Sequence, residues 1–394
     1  MIEYRLSELL EIKNGKDHKA LLNGNYPVFG SGGIMRYVNK YIYDKPSILL
    51  PRKGTLSNIQ YCDVPFWTID TIYYTKINTA LVDPFYLFSY LKLLDCSSLN
   101  SGTGLPSMTF DSYYNIKVNL PSLERQRTIS SIFSNFDKKL RINHRINQNL
   151  EAMTRQLYDY WFVQFDFPNE EGRPYKSSGG KMVWNEKLKR KIPASWEAKA
   201  VDDIADVYNG ATPSTVDKLN YGGDIVWITP KDLSDQRQKF VYQGERNISQ
   251  AGYDSCSTHL LPQNTILMSS RAPIGLLAIA KTELCTNQGF KSFVPKEKSI
   301  VTYLYYYLQI HIKQIEQLST GTTFKEVSRD DILKLPILKP KDNVLNKWAE
   351  TVACINDRQL NLQKENENLI KQRDELLPLL MNGQVSVNSD LSAD

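Results

Sequence analysis

The sequence predicts an α+β protein written twice: two domains of mixed α/β structure, each followed by a long helix, with the two helices pairing as an antiparallel coiled coil. Three observations carry this. The half-chains align on each other at both their openings and their ends. Each copy passes from strand-like alternation into a helical period. Each long helix bears one apolar stripe that a small domain cannot cover.

Residues 6–15 align on 201–210 at a shift of 195, Gly15 falling on Gly210. Both stretches read as a short helix closed by glycine. Apolar, strand-like runs ending in a basic turn follow, 47–54 in one copy and 265–271 in the other. The copies then run gap-free at a shift of 219, pairing Gly102 with Gly321, Thr103 with Thr322, Asp111 with Asp330 and Pro121 with Pro340. Ile116 and Val118 fall on Leu335 and Ile337, an alternating strand, before both copies turn helical.

The domain plan is 1–122, first domain; 123–165, first helix; 166–195, exposed linker; 196–340, second domain; 341–383, second helix; 384–394, flexible tail. In the first helix Ile129, Ile132, Phe136, Ile146, Leu150, Met153, Leu157 and Tyr160 take the a and d positions, interrupted by Lys139 and Asn143. In the second the stripe is Trp348, Val352, Ile355, Leu362, Leu369, Leu376 and Leu380, interrupted by Gln359, Asn366 and Arg373. A helix of this length extends about 60 Å, so each stripe needs a partner helix. Asn143 and Asn366 are placed to fix the register.

Composition bounds the function loosely. The 394 residues carry 48 basic and 43 acidic side chains, a net charge of +5, so attraction for nucleic acid must come from local clusters. Five scattered cysteines with no CxxC spacing argue against a zinc site. The first residues lack a signal-peptide pattern, and no apolar run is long enough to span a bilayer, so a cytoplasmic location is expected.

Enzyme constellations are missing. The nearest approach to a P-loop, ending in Gly180-Lys181, has Tyr175 where its first glycine belongs and Met182 where a hydroxyl is needed. Asp83-Pro84-Phe85-Tyr86 approaches an amino-methyltransferase motif but lacks its second proline, and no strand-glycine-helix unit precedes it. His18, His144, His259 and His311 fall in separate elements. Asp330-Asp331 with Lys334 has no counterpart at Asp111-Ser112 and Asn115, so helix starts are the better reading of both.

The order domain, helix, domain, helix resembles the specificity subunits of type I restriction-modification systems over nearly the whole chain. Pro121-Ser122-Leu123-Glu124-Arg125-Gln126, Ile146 to Met153 and Trp161-Phe162-Val163 look like that family's conserved spacer region. Ile192-Pro193-Ala194-Ser195-Trp196-Glu197, Arg52-Lys53-Gly54 and Cys285-Thr286-Asn287-Gln288-Gly289-Phe290 resemble it too. The second helix departs from the pattern at Pro340-Lys341-Asp342-Asn343 and lacks the Trp-Phe ending.

The resemblance implies two target-recognition domains, each reading half of a split target in double-stranded DNA, and helices that set the gap and bind two modification (methyltransferase) subunits. Restriction (motor-nuclease) subunits are a further candidate partner, and no membrane is expected. Catalysis would belong to the partners, with S-adenosylmethionine, ATP and Mg bound there and no cofactor or metal on this chain. Base readout calls for loops mixing Arg, Lys, Ser, Thr and exposed Gly. The first domain offers Ser31, Gly32, Gly33, Arg36, Arg52, Lys53, Thr55, Thr103 and Ser107; the second offers Thr212, Ser214, Lys231, Ser269, Arg271, Lys291, Thr322, Thr323 and Lys325. Tyr158, Trp161 and Phe162 suggest a partner-binding patch or docking against the chain's own second domain. The rival readings are a stand-alone adenine-specific DNA methyltransferase and a non-DNA scaffold of duplicated interaction domains.

Overall fold

The structure, a computed structural model, describes residues 1–54, 56–94, 107–320 and 325–385. The chain divides into two units, Met1–Asn143 with Glu365–Asp394, and His144–Lys364. Both divisions fall inside long helices, so each unit closes over part of two helices instead of ending where they begin.

Unit 1 runs β1 (Ile2–Arg5), α1 (Leu6–Leu9), β2 (Leu10–Asn14), β3 (Asn23–Gly30), β4 (Gly33–Val38), β5 (Ser47–Pro51), β6 (Gln60–Cys62), β7 (Trp67–Thr68), β8 (Ile72–Ile77), α2 (Pro84–Leu93), α3 (Phe110–Tyr114) and β9 (Lys117–Leu120), then enters α4 (Leu123–Tyr158). The strands order as β2-β8-β5-β6, β4-β3-β7 and the antiparallel pair β1-β9. β5 lies between β8 and β6 and is buried at every residue, which is why its sequence Ile48-Leu49-Leu50 is continuously apolar. Leu6, Ile12, Ile48, Tyr86, Leu87, Tyr113, Val118, Ile129 and Phe133 make the core, closed by Leu380 and Met381.

Unit 2 completes α4 and continues through β10 (Met182–Asn185), β11 (Arg190–Pro193), β12 (Glu197–Ala200), β13 (Ala205–Asn209), β14 (Tyr221–Ile228), α5 (Pro230–Gln236), β15 (Phe240–Val241), β16 (Arg246–Ile248), α6 (Gln250–Asp254), β17 (Ile266–Ser269), β18 (Leu277–Ala280), β19 (Cys285–Thr286) and β20 (Phe290–Pro295). It closes with α7 (Ile300–Gln317), α8 (Arg329–Leu333), β21 (Pro336–Lys339) and α9 (Asp342–Met381). The sheets repeat the plan of unit 1: β13-β20-β17 stands for β2-β8-β5, β16-β14-β19 for β4-β3-β7, and β12-β21 for β1-β9. α3 and α8 begin identically, with the Thr109 and Ser328 hydroxyls accepting from the Ser112 and Asp331 amides. Asp111 and Asp330 therefore sit in first turns, as helix starts require.

The openings of the two copies differ from expectation. Residues 6–15 form one helical turn and then β2; the second copy makes a 3-10 turn, Val201–Asp203, and then β13. Burial alternates along both strands, and pairing with β8 or β20 satisfies backbone groups that so short a helix would leave open. Nor are the terminal glycines helix caps. A Cβ on Gly15 would stand 2.0 Å from the Ile69 carbonyl oxygen, and one on Gly210 would stand 2.1 Å from that of Asn287. One close backbone crossing demands glycine in both copies.

Residues 166–195, expected as an exposed linker, are folded. Asp166 accepts from the Ser177 amide and hydroxyl, both at 2.7 Å, β10 pairs with β11, and Phe167 stacks on Trp196 with centroids 4.8 Å apart. Residues 170–173 and 176–179 are exposed, as expected of them. The family-like Ile192 to Glu197 stretch is thus packing: Ile192 and Trp196 belong to the unit 2 core.

The motif opening α4 has a comparable role. Gln126, nearly fully buried, accepts from the Asp83 amide at 2.9 Å and donates to the Pro121 carbonyl at 2.9 Å. In unit 1 the two long helices meet through Asn143, whose amide donates to Asn366 at 2.9 Å and Glu365 at 3.0 Å, and through Arg373 and Asp137 at 3.5 Å. In unit 2 they meet where Glu151 accepts from Gln359 at 3.2 Å and where Trp348 packs against Tyr158 and Trp161. The stripe of α9 is buried or half-buried throughout. That of α4 departs from the heptads after Asn143: Met153 is 52% and Tyr160 37% exposed, and Thr154 and Tyr158 are buried instead. From Asn143 to Thr154 is an eleven-residue step, the drift of a straighter helix. A π-helical turn, Asp159–Val163, then brings Trp161 and Phe162 into the core together.

Candidate nucleic-acid interface

In unit 1 the candidate residues gather at the end of the buried strand β5. The turn Ser31-Gly32-Gly33 between β3 and β4 is held by Asn58, which donates to the Ser31 carbonyl at 2.7 Å, and by Gln60, which donates to that of Gly30 at 3.0 Å. Gly33 needs its φ of +120°, and a side chain at either glycine would meet open space. Gly54, at φ +89°, lies against Ser31, where a Cβ would stand 3.2 Å from the hydroxyl. Lys53 is exposed and bridges to Ser107. Arg52 donates to the Asp70 carbonyl at 3.4 Å and lies 5.9 Å from the Tyr73 ring centroid.

Arg36 does not join them. Its guanidinium donates to the Leu21 carbonyl at 2.8 Å and to Asn23 at 3.3 Å, fixing the loop before β3. Thr55, Thr103, Thr322 and Thr323 lie outside the described residues.

In unit 2, Arg271 and Lys291 converge on Glu326, each at 2.9 Å, and Lys325 stands exposed beside them. Thr212 bonds Gln288, joining the loop after β13 to the Asn287-Gln288-Gly289 turn. Ser214 is exposed, and its carbonyl accepts from Asn220 at 3.0 Å. Lys231 is exposed but paired with Glu245 at 2.8 Å.

Two expectations fail on burial. Ser269 is fully buried, donating to the Pro273 carbonyl at 2.6 Å and accepting from the Leu276 amide at 2.8 Å, so it shapes a turn and cannot reach DNA. Lys291 is 5% exposed and neutralised by Glu326, so it supports the surface from beneath. Glu326 was missed because a carboxylate does not advertise an anion-binding surface, yet it falls on Ser107 at the 219-residue shift between the copies. Burial would raise its carboxyl, but hydrogen bonds from Lys291 and Arg271 outweigh that and hold it below the usual carboxylate range.

A third correction concerns Tyr158, Trp161 and Phe162. They are 3%, 5% and 5% exposed, packed among Tyr303, Trp196 and Trp348, so they dock on the chain's own second domain and offer no partner patch. Burial also raises the Tyr158 hydroxyl well above its usual pKa.

The methyltransferase-like motif serves a helix start. Asp83 lines a groove of about 530 Å3 with Phe85, Phe88 and Arg127. Its carboxylate, however, accepts from the Phe85 and Tyr86 amides at 3.0 and 2.9 Å and from the Ser130 hydroxyl, which makes it the N-cap of α2. Among the described residues no cluster of His, Cys, Asp and Glu could hold a metal, and no helix is long and apolar enough to cross a membrane. Cys62 and Cys285 are buried, and burial pushes each thiol up to about 11, so they behave as small hydrophobes.

Known proteins share this plan. The specificity subunit of the MjaIX type I restriction enzyme of Methanocaldococcus jannaschii is 39% identical over 197 residues, 48% of this chain and about half, 46%, of that one. The HindI specificity subunit of Haemophilus influenzae is 27% identical over 366 residues, 78% of this chain and 79% of that one. A crystal structure of the type I restriction-modification S subunit from M. genitalium matches in fold with a TM-score of 0.63 at 16% identity, covering 96% of this chain and 95% of that one. The family model for the type I restriction modification DNA specificity domain matches residues 1–152 and 193–372, taking in both copies of the duplicated plan, and the chain belongs to that family.

Proposed function

We propose that this chain is the DNA-reading subunit of a type I restriction-modification complex and directs methylation and restriction carried out by partner subunits. The observation that supports it most is the repetition of one sheet plan with different side chains at the loop ends, Lys53 and Ser107 in one unit, Arg271 and Glu326 in the other. A common frame with diverged loops suits two recognition domains, about 1–122 and 196–340, that read unlike half-sites.

The two long helices act as an antiparallel coiled coil that sets the unread gap, a reading supported by the Asn143–Asn366 hydrogen bond and by the buried stripe of α9. The partners are two modification subunits, with restriction subunits joining them. These partners carry the S-adenosylmethionine, ATP and Mg, and the complex works in the cytoplasm. The rival methyltransferase reading loses its one motif to the Asp83 helix cap.

Sequencing the methylated sites of a host carrying the complex tests this. The expected consensus is asymmetric and bipartite, whereas a palindrome would contradict two unlike readers. Removing seven residues from both helices should shorten the gap by roughly 10 Å of DNA and leave both half-sites unchanged; altered half-site bases would contradict the ruler.

A further inference from the structure

The sheet registers fix which positions of the two units correspond. In unit 1 Asn14 pairs with Tyr73 and Tyr73 with Leu50; in unit 2 Asn209 pairs with Lys291 and Lys291 with Met268. Three residues beyond Leu50 and Met268 stand Lys53 and Arg271. The returning segments agree: Lys53 bridges to Ser107 and Arg271 to Glu326, while the Met108 amide donates to the Arg52 carbonyl at 3.0 Å and the Val327 amide to that of Ser270 at 3.1 Å. Lys53 and Arg271 are therefore one structural position.

Its nearest neighbours have changed. Tyr73 corresponds to Lys291, Ser107 to Glu326 and Arg52 to Ser270, yet an exposed cation remains. Between two domains that read different bases, residues touching base edges must differ, whereas those touching the uniform phosphate backbone need not. The duplication acts as an internal control that separates the two roles.

We propose that Lys53 and Arg271 are the equivalent phosphate-seating residues of the two units, fixing each on the DNA backbone without reading sequence. The proposal rests on the reading of both units as DNA-recognition domains. Arg271 is held for the task. Its Nε donates to Glu326 Oε2, the Lys291 ammonium takes Oε1, and Lys291 is buried. Lys291 cancels the Glu326 charge, so the positive charge of Arg271 stays uncancelled. Its two terminal nitrogens have no hydrogen-bond partner among the described residues, which leaves the fork that matches two phosphate oxygens. Lys53, with no ion pair among the described residues, serves as a point charge. Glu326 and Lys291 are positioning residues.

The test uses the complex assembled with its modification subunits, a duplex carrying the methylated consensus, and a scrambled duplex of equal length, each titrated across salt concentrations. Lys53→Gln and Arg271→Gln should each reduce the slope of log affinity against log salt by about 0.9 on both duplexes. The specific-to-scrambled affinity ratio and the methylated consensus should stay as they are. Glu326→Gln should weaken binding when Arg271 is present and add nothing in the Arg271→Gln background. An unchanged slope, or a base lost from one half-site of the consensus, would overturn the proposal. Absence of salt-dependent binding by the unaltered complex would instead overturn the underlying DNA-reading function, and the proposal with it.

Discussion

Replacing Trp348 with alanine should destabilise unit 2 by about 3–5 kcal/mol, the usual loss for a large aromatic deleted from a packed core. Trp348 is fully buried, with its ring 5.6 Å from Trp161, 5.1 Å from Phe162 and 5.9 Å from Tyr158, centroid to centroid. These side chains come from α9, α4 and the π-helical turn, so no single neighbour can relax to fill the space. Trp184, 55% exposed on β10, is the control, and its alanine variant should stay within about 0.5 kcal/mol of the parent. Urea unfolding followed by hydrogen exchange of unit 2 amides measures both. A loss under about 1 kcal/mol at Trp348 would mean that the aromatic cluster does not hold the helices as described.

The second large effect concerns the Lys239 ammonium. It is buried and donates to Tyr306 at 2.8 Å, Asn356 at 2.9 Å and Gln359 at 3.0 Å, with Glu151 at 3.4 Å as its counter-ion. Glu151→Ala strands that charge in the interior, at an expected cost of about 3–5 kcal/mol. Adding Lys239→Met should recover much of the loss, because what hurts is the unpaired charge and not the missing bond. A Glu151→Ala variant within about 1 kcal/mol of the parent would contradict the pairing.

Burial pulls the Lys239 ammonium down from 10.5 to about 8, against the pull of Glu151. Below about pH 8 folded and unfolded chains both carry the proton, and the desolvation cost is borne in full. Between about pH 8 and 10.5 the unfolded chain binds more protons than the folded one, so this group's contribution to stability rises with pH. The stability of the parent relative to Lys239→Met should accordingly increase across that window, by an amount on the order of 3 kcal/mol. A flat difference would place the ammonium in water.

The duplication could be read in the sequence because sheet-forming and helix-starting residues repeat at fixed shifts: Asp111 and Asp330 both open helices, and Val118 and Ile337 are both fully buried in strands. The apolar seam of α9 was legible for the same reason. Residues 6–15 misled because Leu6, Leu9 and Leu10 fit a helical stripe while Leu10 and Ile12 fit a strand, and so short a run does not separate the periods. Met153 and Tyr160 were misplaced by extending a seven-residue repeat along a helix that drifts from it.

Within the candidate interface, Arg271, Lys53 and the Ser31-Gly32-Gly33 turn were readable as basic or glycine-rich loop ends. Lys291 and Ser269 were not, since whether a polar residue at a strand end faces water depends on its partners: Glu326, 35 residues on, for one, and for the other a local turn that folds the Pro273 carbonyl and the Leu276 amide back onto the hydroxyl. The aromatic run at the end of α4 showed its apolar character in the sequence, but not which surface would cover it.

The division of the long helices between units has a bearing on how the chain is made. Unit 2 is one continuous stretch, His144–Lys364, whereas unit 1 joins Met1–Asn143 to Glu365–Asp394 and takes Leu380 and Met381 into its core. The core of the unit synthesised first therefore lacks these two side chains until nearly the whole chain has been made. N-terminal domains ordinarily fold first during synthesis; here a chain released after Lys364 would keep every residue of the second unit and lack the Glu365–Asp394 part of the first.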